Sequence, residues 1–298
     1  MPTSASTPDP DSPAESVAET AEKTAQRKQA GLLVLLGVIG VAAVMPFAFA
    51  LQQEKLAEVI KKTGASLLSL AMVSCAQSSV FVLLSVFAGL YAARRLRLEA
   101  PVTLALARGE PAWPVLRRLL GVAVLWGLGS GGLTVFLDGA VFNPRVPELR
   151  ALNETAMAHH SVWKAALACL YGGFTEEIIV RLFILSLIAL GLVQLGQALG
   201  LRKRGGMPPR GHFLALLTAN VLAALLFGLM HLPATAAMVK LTPLLVTRTI
   251  VLNGVVGLAC GFLYVRRGLE AAMAAHLTAD VVLHLVAPAL VQAGVIHL

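Results

Sequence analysis

The chain has 298 residues, of which 57% are hydrophobic and 13% charged. A soluble domain carries about 25% charged residues, so the composition excludes an ordinary water-soluble enzyme or binding module. The formal charge of +8 gathers at the ends of apolar runs rather than along one exposed face, and it calls for no nucleic-acid partner.

The first segment, residues 1–28, begins MPTSASTPDPDSPAESVAETAEKTAQ and is rich in Pro, Ser, Thr, Ala and acid. Its apolar content is too low to support a fold, so a disordered cytoplasmic tail is expected. A cleaved secretion signal would need a short basic start leading directly into an apolar run, and this acidic, long segment predicts a retained anchor instead. Residues 29–150 then hold the N-terminal transmembrane helices, in charge-free runs at 30–51, 64–93 and 119–137. Residues 151–298 hold the remaining runs, at 182–201, 213–239, 249–265 and 271–298, the last interrupted only by His276, Asp280, His284 and His297. Each run is long enough to cross, or nearly cross, roughly 30 Å of hydrocarbon at 1.5 Å per residue. Strand alternation of the barrel kind is absent. The fold class is therefore all-α and polytopic, with about seven transmembrane helices (six to eight). The stretch 160–200 is too long for one straight span, and Gly172-Gly173 is the predicted break.

Basic residues recur at every second junction: Arg27 and Lys28; Arg94, Arg95 and Arg97 with Arg117 and Arg118; Arg202, Lys203, Arg204 and Arg210; Arg266 and Arg267. The positive-inside rule places these clusters in the cytoplasm. It predicts a multi-pass protein of the cell (inner) membrane with a cytoplasmic N-terminus and an outward C-terminus, with Lys61 and Lys62 departing mildly from the pattern. Cys75, Cys169 and Cys260 are isolated in apolar runs, which fits neither a disulfide frame nor a CxxC metal site.

A charge at the centre of a membrane helix costs about 2.5–3.5 kcal/mol on the insertion scale, so the polar residues within the spans need reasons. The stretch TEEIIVRLFIL contains Glu176, Glu177 and Arg181. Positions four apart share a helix face, so Glu177 and Arg181 are expected to pair. Glu176, turned about 100° away on a helix of 3.6 residues per turn, is left over. In LLFGLMHLP, Phe227 and His231 are again four apart, and Pro233 should end or kink the helix there. In AAHLTAD, Asp280 lies one turn beyond His276, suited to fix its tautomer, and His284 continues the same face. Asn253, Gly257, Gly261 and Tyr264 precede this pair at helical spacing, the two glycines read as packing.

One left-over carboxylate and two histidines on three helices form a hydrolytic constellation. A buried carboxylate can take a proton from water, a histidine beside it can orient that water and protonate the leaving amine, and a second polar pair can stabilise the oxyanion. The bland alternative is a helix-packing network. There is no HExxH, no G-x-S-x-G and no GxGD-type aspartyl pair, which removes the commoner protease motifs. Ser130, in GLGSGG, has no downstream partner to complete a dyad, and that glycine cluster reads as helix packing. Zinc on Glu176, His231 and His276 stays a minority alternative, because His231 has no acid in its own segment to orient its ring. The expected cofactor is none.

EEIIVR, FGLMH and HLTAD, in this order, resemble the EExxxR, FxxxH and Hxxx(N/D) motifs of the CPBP family, which includes the type II CAAX prenyl endopeptidases and bacteriocin-processing, or abortive-infection, proteins. The resemblance covers about residues 160–285. It implies a conical intramembrane catalytic core and a glutamate-dependent endopeptidase with a membrane-anchored or lipid-modified protein substrate. Glu176 would activate water, His231 would assist, and His276 with Asp280 would hold the oxyanion. Glu177, Arg181, Phe227 and Asn253 would support the site. The chain departs from the prenyl-protein enzymes by carrying Asp280 where they carry asparagine, and an ionised aspartate cannot donate to an oxyanion. Other members of the family do carry aspartate. Two further readings accompany this one: a catalytically silent scaffold or bacteriocin-immunity protein of the same fold, and a proton-coupled transporter, against which stands the lack of a duplicated half.

Overall fold

A computed structural model describes residues 13–146, 149, 161–200 and 209–296. Among these residues every regular element is a helix. That is the expected outcome for a chain whose backbone groups must bond internally in hydrocarbon. The elements are α1 (Pro13–Leu51), α2 (Gln53–Thr63), α3 (Leu67–Leu96), α4 (Pro101–Arg108), α5 (Trp113–Arg145), α6 (Val162–Ala198), α7 (Pro209–Met230), α8 (Leu232–Met238), α9 (Pro243–Arg267) and α10 (Leu269–Gln292). Among the described residues seven stretches are long and apolar enough to cross a membrane: α1, α3, α5, α6, α7 with α8, α9 and α10.

Two expectations change. Residues 13–28, read as a disordered tail, are helical and continuous with the first span, while residues 1–12 lie outside the described residues. The reason is that an existing membrane helix supplies the nucleus, so Ala and Glu need only propagate it. The extension also finds partners: Ala25 is buried, and Glu22 meets Arg108 at 2.9 Å. The second change concerns Gly172-Gly173, which do not break α6. The helix runs through them and widens instead, with π-type turns at Tyr171–Glu176 and Ile178–Leu185.

The short helix α4 gathers one end of the bundle. Gln29 Nε2 donates to the Ala100 carbonyl at 3.0 Å, and Leu269 N–H donates to the Glu99 carbonyl at 3.0 Å. Glu270 Oε1 accepts from both the backbone N–H and the hydroxyl of Thr103, at 2.8 and 2.9 Å. The Thr103 amide is one of the orphan donors of the first turn of α4, so a carboxylate from α10 caps that helix across the interface. Gly268 makes the turn between α9 and α10 at φ 97°, a conformation that L side chains avoid. These contacts bring three of the four basic clusters to the same end. At the opposite end Arg248 of α9 meets Asp138 of α5 in a two-pronged ion pair at 2.6 and 2.5 Å.

Between these ends the helices approach closely through small residues, as membrane interfaces require. A Cβ on Gly127 of α5 would stand 2.4 Å from the Ala275 carbonyl of α10, and one on Gly257 of α9 would stand 3.1 Å from the Ala224 side chain of α7. The glycines around Ser130 are thus part of the α5–α10 contact, and Ser130 itself is buried and bonded to the Gly127 carbonyl. Tyr264 and Ser186 share a hydrogen bond of 2.8 Å that ties α9 to α6.

Candidate active site

The site is assembled from α6, the α7–α8 break and α10. The widened part of α6 is held on two sides. Thr175 Oγ1 donates to the Gly37 carbonyl of α1 at 2.8 Å. On the other side Gly172 and Gly173 lie against α10, where a Cβ on Gly173 would meet the Leu277 side chain at 3.1 Å. A Cβ on Gly172 would overlap Asp280, standing 2.0 Å from Oδ2 and 3.3 Å from His276 Nε2. The predicted helix break is therefore the surface against which the α10 pair is seated. π-type turns occur mostly at functional sites, and here they flank Glu177.

Glu177 and Arg181 face each other as their spacing predicts, Oε1 to Nη2 at 3.1 Å, with both side chains wholly buried. The contact is Coulombic rather than an aligned hydrogen bond: among the described residues the guanidinium nitrogens have no hydrogen-bond partner of good geometry. The Phe227 ring covers the guanidinium, 5.2 Å from its carbon, a cation–π arrangement. The same ring meets His231 edge-on at 4.7 Å and His276 at 5.6 Å. Phe227 is thus the spacer around which Arg181 and the two imidazoles are arranged.

His276 is buried, and its Nδ1 lies 2.7 Å from Glu177 Oε1. The acid that orients this ring is Glu177, distant in sequence, rather than Asp280 as the local spacing predicts. Asp280 instead faces the other nitrogen, with Oδ1 3.6 Å from Nε2. His284 Nε2 stands 3.9 Å from the same Asp280 oxygen, and its ring meets Phe47 of α1 edge-on.

His231 occupies the turn where α7 ends, immediately before α8 begins at Leu232. Pro233 falls in the first turn of α8, where a missing N–H costs nothing. The Phe227 carbonyl lies 2.8 Å from His231 Nδ1. His231 has no acid of its own segment beside it, as expected, but a backbone carbonyl does what an acid would do. That carbonyl can only accept, so Nδ1 carries the proton and Nε2 presents its lone pair.

Both Nε2 atoms point at Glu176. His231 Nε2 lies 3.9 Å from Oε1, and His276 Nε2 lies 3.7 Å from Oε2. The Glu176 and His231 side chains are 19% and 31% exposed, against 0% for Glu177 and Arg181, so an incoming molecule can reach the first pair and not the second. The structure accordingly brings Glu176, Glu177, Arg181, Phe227, His231, His276 and Asp280 together. Asn253 is not bonded to this cluster; its amide donates to the Thr249 carbonyl in its own helix at 2.8 Å.

Cys260, isolated in its apolar run and not expected at the site, is a further neighbour. With Glu177 and His276 it forms a buried trio whose ligand atoms lie within 4.8 Å of one another. A cation there would sit beside Arg181, which already neutralises Glu177, so the charge balance opposes metal. No local signal marked Cys260, since it lies far from both partners in the chain and in an otherwise apolar run.

The family model described as Rce1-like, type II CAAX prenyl endopeptidase Rce1-like, matches residues 158–282. No curated protein and no solved structure matches the chain. The matched segment contains every acid, histidine and arginine of the cluster up to Asp280 and stops short of His284. It supports a CAAX-type intramembrane protease at the level of the family. Over residues 158–282 the chain is therefore similar to the type II CAAX prenyl endopeptidase Rce1-like family.

Proposed function

We propose that the protein is an intramembrane endopeptidase that hydrolyses a peptide bond near the C-terminus or the membrane anchor of a protein substrate, using a water activated by Glu176. The observation that carries this reading is the convergence of His231 and His276 on opposite oxygens of Glu176, at 3.9 and 3.7 Å. Groups at these separations are too far apart to bond each other and close enough for one water to bond both.

Glu176 takes a proton from that water as its oxygen attacks the scissile carbonyl carbon. His231, whose Nε2 lone pair faces the same water, orients it and relays the proton to the leaving nitrogen as the C–N bond breaks. The products are a new carboxylic acid and an amine, which become carboxylate and ammonium by exchanging the second water proton, and Glu176 is regenerated as the base. His276 serves the oxyanion; for that role it carries a proton on each nitrogen, donating through Nδ1 to Glu177 and through Nε2 to the developing charge. Asp280 steadies the Nε2 side. Glu177, Arg181 and Phe227 fix the ring from behind. The substrate is a membrane-anchored or lipid-modified protein that reaches Glu176 from the bilayer.

Comparing membrane proteomes of cells carrying the wild-type chain and Glu176→Ala tests the proposal. At least one membrane protein should accumulate as a precursor with an uncleaved C-terminal or anchor segment in the variant. Identical termini and abundances in the two strains would refute it.

A further inference from the structure

Away from the catalytic cluster, a crevice of about 340 Å³ opens between α5 and α9, lined by Val122, Trp126, Phe262, Leu263, Arg266 and Arg267. Its wall is apolar and largely aromatic. The Trp126 and Phe262 rings lie 5.0 Å apart at an angle of 32°, and both side chains are exposed, at 41% and 40%. Its lip is cationic. The Arg266 guanidinium lies 5.7 Å over the Phe262 ring, Arg267 is exposed beside it, and neither meets an acid among the described residues. Arg118 is exposed one helical turn before Val122 and on the same face of α5, which adds a third positive charge on this side.

Retention of basic residues at one membrane face explains arginines there, but it does not explain why they rim an aromatic crevice. A crevice bordered by hydrocarbon on its apolar side and by unpaired guanidinium groups at its lip matches a molecule with the same division. We propose that it binds an anionic phospholipid, with the phosphate between Arg266, Arg267 and Arg118 and the first part of an acyl chain against Trp126 and Phe262. Guanidinium suits phosphate because its donors are arranged as a fork. Zwitterionic lipid is disfavoured, since its ammonium group would be placed among the same arginines. Gly268 and α10 follow Arg267 directly, so the lipid sits at the foot of the helix that carries His276.

Native mass spectrometry of the purified full chain in neutral detergent, with phosphatidylglycerol, phosphatidylcholine or inorganic phosphate added separately, tests the site. One phosphatidylglycerol per chain should bind more tightly than phosphatidylcholine. A basic residue near an anionic headgroup contributes roughly fivefold in affinity, so Arg266→Gln with Arg267→Gln should weaken retention roughly 25-fold. Trp126→Ala should also weaken it, and Lys61→Gln with Lys62→Gln, in α2, should leave it unchanged. Equal retention of the two lipids by the wild-type chain would overturn the proposal without recourse to any variant. Saturation of the site by inorganic phosphate alone would overturn the lipid assignment, and retention unaffected by the arginine substitutions would overturn its location.

Discussion

Glu177→Gln removes one charge from a pair that no solvent reaches, and the structure sets its cost apart from that of the neighbouring Glu176→Gln. Arg181 is 0% exposed and 3.1 Å from Glu177, and its guanidinium has no aligned hydrogen bond among the described residues to fall back on. Removing one partner of such a pair costs about 3–5 kcal/mol, mainly because the other charge is left buried and uncompensated. Set against a total stability of about 5–15 kcal/mol for a typical domain, that loss should lower the thermal midpoint and the amount of protein in the membrane. Arg181→Ala should behave in step. Glu176 makes no contact shorter than 3.7 Å to either imidazole and is partly exposed, so Glu176→Gln should cost under about 1 kcal/mol. Its turnover, however, should fall by at least about 100-fold, the usual range for loss of a general base. Thermal unfolding followed by size-exclusion in detergent, paired with cleavage of a labelled membrane peptide in lipid, separates the two effects. Equal loss of stability for both glutamate variants would refute the division of labour and favour a packing network.

Gly172→Ala should lower turnover more than tenfold with a smaller loss of abundance, because the new methyl displaces Asp280 from 2.0 Å away while the seat against Leu277 at Gly173 is unchanged; turnover near wild type in the peptide-cleavage assay would show that Asp280 has no part. Reporter fusions at Lys203 and Arg267 should read cytoplasmic and a fusion at Glu148 external, and an external reading at Lys203 would overturn the orientation drawn from the basic clusters.

The seven spans were legible because charge-free length is a property of the chain itself, and the described residues include seven membrane-length helices. The Glu177–Arg181 and Phe227–His231 contacts were legible for a similar reason, since spacing four fixes a shared face. Spacing cannot say which other helix that face meets. His276 and Asp280 are also four apart, yet the ring is oriented by Glu177, 99 positions away in sequence. Asp280 meets the other ring nitrogen, Nε2, at 3.6 Å and packs against Gly172. Cys260 is unmarked for the same reason. The tail misled in another way: low apolar content argues against independent folding, but residues 13–28 extend a helix that already exists. Backbone partners were also invisible, as the Phe227 carbonyl at His231 Nδ1 shows, because every residue has a carbonyl and sequence gives no sign of which one will be aimed.

That carbonyl bears on the choice between metal and carboxylate-activated water. A histidine bound to metal normally donates its other nitrogen to an acid or a carbonyl, so His231 is oriented as well for one chemistry as for the other. The decision rests on the remaining geometry. Catalytic zinc holds nitrogen and oxygen ligands at about 2.0–2.2 Å, so around a tetrahedral ion two of them stand about 3.4 Å apart. Here each imidazole faces a different oxygen of Glu176, at 3.9 and 3.7 Å, an arrangement suited to a carboxylate exchanging a proton with water on one side and bracing a ring on the other. The tighter trio of Glu177, Cys260 and His276 shares its carboxylate with Arg181 at 3.1 Å, where a divalent ion would face a guanidinium. Activity is therefore expected to survive exhaustive chelation. Enzyme purified in lipid, treated with phenanthroline and dialysed, should cleave a membrane peptide at its original rate. The same preparation should contain zinc well below one ion per chain by elemental analysis. Stoichiometric zinc, with activity lost on its removal and restored on its return, would replace the water-activating role proposed for Glu176 with a ligand role and leave the positions of the two histidines as the part that stands.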